Sequence, residues 1–148
     1  MIIVEKMLPV ARERLVVIDE SALLTTAARL LNDRHTNLVV ARDKKGTMTG
    51  VVTKTDIVRQ LSHCHGSGCT APVAAVMTRD VTCCRSADLL QDGWSIMKER
   101  NLLHIPIVDE EFRPVGVVNA RDALLLLLEG TEYEEALLRD YVMGIGYQ

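Results

Sequence analysis

Gly50-Val51-Val52-Thr53-Lys54-Thr55-Asp56 and Gly116-Val117-Val118-Asn119-Ala120-Arg121-Asp122 are one pattern written twice, 66 residues apart. Outward from this pair and without a gap, Leu23-Leu24 fall opposite Leu89-Leu90, Arg34 opposite Arg100 and Asp43 opposite Asp109. Only 8 of 44 aligned positions are identical between residues 15–58 and 81–124, so the duplication is carried by pattern rather than identity. A unit of this size buries little core by itself, and two copies gain by packing together. Paired sites are therefore expected at the seam between them.

Each copy reads as β-α-β-β-α. In the first, Leu15–Ile18 is a short apolar run suited to a buried strand, and Asp19-Glu20-Ser21 offers side chains to cap a following helix. Apolar residues at 23, 24, 27, 28, 30 and 31 recur at helical spacing and predict an amphipathic helix over 22–34. Leu38–Ala41 and Met48–Thr53 read as strands around an Asp43–Gly46 turn, with a helix over Thr55–Leu61. The second copy predicts a strand Val81–Cys84, a cap at Ser86, a helix Leu89–Arg100, strands His104–Val108 and Val115–Asn119, and a helix Arg121–Glu129 ended by Gly130. Glu5–Leu8 and Ala74–Met77 look like short lead-in helices, one before each repeat. The fold class is thus α+β with α/β-type alternation: two repeats related by a pseudo-twofold axis. The divisions are a first repeat with its lead-in over 1–62, a linker over 63–72, a second repeat over 73–130 and a helical tail over 131–148.

The chain has 148 residues, 48% hydrophobic and 25% charged, with formal net charge −3. These proportions suit a compact globular chain and exclude disorder. Lysines and arginines are scattered, and one Trp, three Tyr and one Phe are few for base stacking, which argues against nucleic-acid binding. No apolar run approaches the roughly 20 residues that span a bilayer, and Glu5 and Lys6 interrupt the apolar start, so the expected location is cytoplasmic, with cysteines kept as free thiols.

A β-α-β-β-α unit ending in Gly-hydrophobic-hydrophobic-(Thr/Ser)-x-x-Asp and occurring twice resembles the cystathionine-β-synthase (CBS) domain, and the tandem resembles a stand-alone Bateman module. The likeness runs from about Val4 to Gly130. Gly50–Asp56 matches the family motif fully, whereas Asn119 replaces the usual Thr or Ser in the second copy. His104-Ile105-Pro106-Ile107-Val108-Asp109 is similar to the family's second-strand signature, and Leu38–Asp43 lacks its proline.

The resemblance implies a regulatory fold, without catalytic residues, metal or obligatory cofactor, that binds an adenosine compound in clefts between the repeats. AMP, ADP, ATP, NAD and S-adenosylmethionine are equally compatible. It implies a primary site of Thr53, Lys54 and Asp56 with Thr78, Cys83, His104, Ile105 and Pro106. A secondary, altered site would join Asn119, Arg121 and Asp122 to Val17, Leu38, Val39 and Val40. The chemistry is reasonable, since a carboxylate accepts hydrogen bonds from a ribose diol and a hydroxyl and ammonium at a helix start suit phosphate. The module would signal energy or metabolite status to an effector protein, and the run Leu124–Leu128 suggests a homodimer.

Plainer readings stand beside these. Asp56 and Asp122 can serve as helix caps, and His104 as a strand-edge histidine. Cys64 and Cys69 with His63 and His65 could make a metal- or redox-responsive module, although the Cys-x4-Cys spacing is not the commoner zinc pattern. Cys83 and Cys84 are adjacent in an extended segment, so they point to opposite faces and do not chelate together. A purely structural dimerisation module would bind no small molecule.

Overall fold

The computed structural model describes residues 1–63 and 70–129. A 3-10 turn, Val4–Met7, runs into α1 (Leu8–Arg14), followed by β1 (Val17–Asp19), α2 (Leu24–Leu31), β2 (Leu38–Arg42), β3 (Met48–Thr53) and α3 (Lys54–Ser62). The second half comprises α4 (Val73–Val76), α5 (Leu90–Arg100), β4 (His104–Val108), β5 (Pro114–Asn119) and a last helix, α6, over 120–129. In the first sheet β1 runs parallel to β2, and β2 antiparallel to β3. The second sheet is the antiparallel pair β4–β5.

The expected strand Val81–Cys84 is reduced to one parallel bridge, Cys84 to Ile107. The repeat itself supplies the reason. In the first half Val40 donates its N–H to the Val16 carbonyl at 2.8 Å. The equivalent donor in the second half is Pro106, which has no N–H, so the ladder stops. Thr82, the counterpart of Val16, keeps a carbonyl that accepts no hydrogen bond among the described residues.

The two expected side-chain caps are also absent. The N-caps of α2 and α5 are Leu23 and Leu89, neither making a side-chain cap bond. Asp19 instead accepts the N–H and O–H of Ser21. Main chain from far away does the capping: Leu24 donates to Ala71 O and Leu90 to Ile2 O, both at 2.9 Å. The amphipathic helix is shorter than its apolar spacing predicts, Leu24–Leu31, because Asp33 folds back to accept the His35 N–H in a turn.

These distant caps reveal an exchange. The first lead-in lies on the second repeat, with Ile3 bridged to Leu89 and α1 packed on β5. The second lead-in lies on the first, with α4 against β3 and Thr78 bridged to Val51. The motif glycines permit the approach. A Cβ at Gly50 would meet Met77 and the Thr78 carbonyl at 2.8 Å, and one at Gly116 would meet the Ala11 Cβ at 2.9 Å. Met77 and Ala11 are themselves one repeat apart.

Burial follows the same symmetry. One core joins Val4, Met7 and Ala11 to Leu90, Met97, Ile105 and Ile107 of the second repeat. Another joins Val73 and Met77 to Ile18, Leu24, Val39 and Val52 of the first. A third, at the seam, sets Leu38, Val40, Met48 and Val51 against Val108 and Val117. The ends of β3 and β5 emerge from this seam.

Candidate functional site

At the end of β3 the chain turns directly into α3, and Thr53 and Asp56 form a reciprocal capping box. The Asp56 carboxylate accepts the Thr53 N–H at 2.9 Å, the Thr78 hydroxyl at 3.1 Å and an Arg59 N–H at 3.2 Å. Its side chain is only 4% exposed. A charge so buried is tolerable because it is hydrogen-bonded on both oxygens and paired with the Arg59 guanidinium.

Beside this cap a cavity of about 180 Å³ opens at the seam, lined by Leu38, Val51, Thr53, Thr78, Asp80, Val81, Thr82, Leu102, His104 and Pro106. Both repeats contribute. Of the residues expected at the primary site, Thr53, Thr78, His104 and Pro106 line it. Ile105 does not: it is 1% exposed in the second repeat's core, as strand alternation requires when His104 and Pro106 face the cleft. Lys54 lines a separate groove between α2 and α3 with Ala28, Leu31, Asn32, Ile57 and Val58. Cys83 packs against the seam core, and Asp56 is not in this cavity's wall but lines another, of about 300 Å³, with Arg59, Gln60, His63, Ala75 and Val76.

The other end of the seam is built differently. Asn119 Oδ1 accepts the N–H groups of Arg121 and Asp122, at 2.9 and 3.1 Å, so the asparagine alone caps α6. Asp122 is thereby released from capping. Its carboxylate forms a two-pronged ion pair with Arg14, Nε to Oδ2 and Nη2 to Oδ1, the latter at 3.0 Å. Arg14 also lines a cavity of about 390 Å³ with Val10, Glu13, Val16, Asp33, His35 and Thr36. Of the secondary-site residues, Val39 and Val40 are fully buried, Val17 packs on the seam core, Leu38 lines the first cavity instead, and Arg121 is exposed. The side chain the sequence reading missed is Arg14. Its signal was the 66-residue spacing, which sets it opposite Asp80.

His104 stands between the two ends. Its Nε2 lies 2.9 Å from Asn119 Nδ2. Since Asn119 Oδ1 is committed to the α6 cap, its amide must donate to Nε2, which holds the imidazole neutral with its proton on Nδ1. Burial, and then the nearby Arg14 guanidinium, push the His104 pKa below its ordinary value, against an opposing pull from Asp122.

Cys83 and Cys84 face different cores, and burial pushes the Cys84 thiol up to about 12 and Cys83 upward too, so neither is poised as a thiolate. Among the described residues no cluster of three or more His, Cys, Asp or Glu could hold a metal ion. Cys64, His65 and Cys69 of the metal or redox reading lie outside those residues, as do Gly130 and the tail over 131–148. His63 is described, with its Nδ1 2.8 Å from the Arg59 carbonyl oxygen. No helix among the described residues is long and apolar enough to cross a membrane.

The family model of the CBS domain matches residues 6–63 and again 73–129. This chain belongs to the CBS domain family. The CBS pair is 25% identical over 141 residues to an uncharacterized 17.7 kDa protein of Acidianus ambivalens, covering 95% of this chain and 84% of that one. Its fold is that of a CBS domain pair solved with 5-methylthioadenosine and S-adenosyl-L-methionine, at TM-score 0.72 and 21% identity, covering 88% of this chain and 98% of the other. It is equally that of CBSX2 solved with AMP, at TM-score 0.71 and 20% identity over 88% and 99% of the two chains.

Proposed function

We propose that this CBS pair is a regulatory, non-enzymatic module that binds an adenosine compound in the cleft between Thr53 and His104 and reports its presence to an effector protein. The observation that carries the reading is the open Thr82 carbonyl. Pro106 removes the N–H that would have satisfied it, and both residues line the same apolar-walled cavity. An unpaired acceptor beside a flat apolar slot suits the exocyclic amine of adenine, with Pro106, Leu38 and Leu102 covering the ring faces. Thr53, Thr78 and the Asp56 carboxylate behind them would take the ribose hydroxyls once Thr78 turns aside.

At about 180 Å³ the cavity is smaller than the roughly 300–1,000 Å³ of ordinary small-molecule pockets. Binding therefore has to part the repeats around the base, which is how occupancy becomes a change of packing that another protein can read. The fold neighbours solved with adenosine compounds support the ligand class. A homodimer fits the same reading, because α3 and α6 leave Val58, Leu61, Leu125 and Leu128 exposed.

The test is a thermal-shift series with adenosine, AMP, ATP, NAD, 5-methylthioadenosine and S-adenosylmethionine. At a hundredfold excess over Kd, binding contributes about 2.7 kcal/mol, or roughly 5–10 °C for a chain of this size. If none of the six moves the melting temperature, the reading is wrong.

A further inference from the structure

The wall of the cleft between Thr53 and His104 carries one unneutralised charge, and it is negative. Asp80 lines the cavity and is exposed at its mouth, with no hydrogen bond or ion pair among the described residues. The other ionisable group in the wall is His104, and the Asn119 amide holds that ring neutral. The cations around the cleft face elsewhere or are already paired. Arg59 and Arg14 hold Asp56 and Asp122, Lys54 lines the groove between α2 and α3, and Arg79 donates to the Ala74 carbonyl on α4. Arg100 reaches the Thr82 hydroxyl from the end of α5 and is not part of the cavity wall.

We propose that Asp80 makes this cleft select its ligand by the charge of the 5′ substituent, admitting neutral and cationic adenosine compounds and disfavouring phosphorylated ones. This rests on the adenosine reading of the cleft. A cavity of about 180 Å³ is filled by the nucleoside alone, so whatever the 5′ carbon carries emerges at the mouth, where Asp80 stands. A phosphate there meets a carboxylate and finds no guanidinium or ammonium in the wall to take up its charge. A sulfonium or ammonium meets an opposite charge instead. Water at the mouth screens both interactions, so Asp80 sets a preference and not an absolute bar. The module then reports a nucleoside or its cationic derivatives, and not the balance of adenylates.

Isothermal titration of the full chain with adenosine, AMP and 5′-amino-5′-deoxyadenosine tests this, because the three share base and ribose and differ in charge at the 5′ position. Asp80 lines this cleft and not the cavity beside Arg14, so the binding event that Asp80→Asn shifts is the one at issue. In wild type that event should favour the amine over AMP by about 10-fold or more. Asp80→Asn should weaken the amine and strengthen AMP, closing most of the gap, while adenosine moves by less than about 2-fold. A folded variant with an unchanged preference, or with all three compounds shifted alike, would overturn the proposal. Added salt gives a reading on wild type alone, between about 50 and about 500 mM sodium chloride. AMP that weakens at every binding event, or an amine that weakens at none, would overturn it too. If none of the three binds, the adenosine reading itself fails; if they bind without regard to charge, only the role of Asp80 is refuted.

Discussion

His104 is the residue through which protonation reaches the cleft beside Thr53. Its neutral ring accepts from Asn119, and a proton on Nε2 would set donor against donor. Because its pKa is lowered in the folded protein, the unfolded chain binds the proton more readily. Stability should therefore be flat above the unfolded value of about 6.5 and fall as the pH drops below it toward the folded value. Melting temperatures between pH 5 and 8 should show this slope, and His104→Gln should flatten it. If the variant and wild type share one pH profile, the Asn119 contact does not control the imidazole. The same residue shows what a sequence can and cannot disclose. Its place in the cleft was legible from the strand signature, whereas Ile105 was expected beside it although strand alternation turns that side chain into the core. The Arg14–Asp122 pair was not, because its partners lie far apart in sequence and meet only when the first lead-in crosses to the second repeat.

At the scale of elements, the strand boundaries were legible where an antiparallel partner fixed them, as for Met48–Thr53 and His104–Val108. Caps and short strands were not. Ser21 and Ser86 have the composition of N-caps, but carbonyls from residues 71 and 2 took that role, and local sequence carries no trace of a non-local acceptor. The truncated strand before α5 gives the sharpest prediction. Pro106→Val restores the N–H that Val40 has, so the parallel ladder should extend to Thr82 and its carbonyl should become occupied. Adenosine affinity should then fall by about 2- to 10-fold, the worth of one hydrogen bond, while the unliganded protein becomes no less stable. Tighter binding in this variant, measured by titration, would remove the Thr82 carbonyl from the site.

For the whole molecule, the five-leucine run resolves into two faces. Leu126 and Leu127 pack on the second repeat's core, whereas Leu124, Leu125 and Leu128 are 36%, 55% and 44% exposed. Residues 58 and 124 are repeat equivalents, and both are exposed and apolar, so each half presents a helix of this kind to its surroundings. Sedimentation of the wild type should give a dimer, and Leu61→Glu with Leu125→Glu a monomer that retains its cooperative melt. A wild-type monomer at micromolar concentration would show that these faces serve some other purpose.

The exchanged lead-ins carry a consequence for how such a chain arose. A lone repeat would own a docking groove that its own lead-in cannot reach and a lead-in with no groove to occupy, and the cure is a second identical copy. The present molecule is in effect that ancestral pair with its subunits spliced end to end. Splicing turns association into an intramolecular event at millimolar effective concentration. It also frees each half from the requirement of sameness, which is what allowed an arginine at one seat and an aspartate at the other.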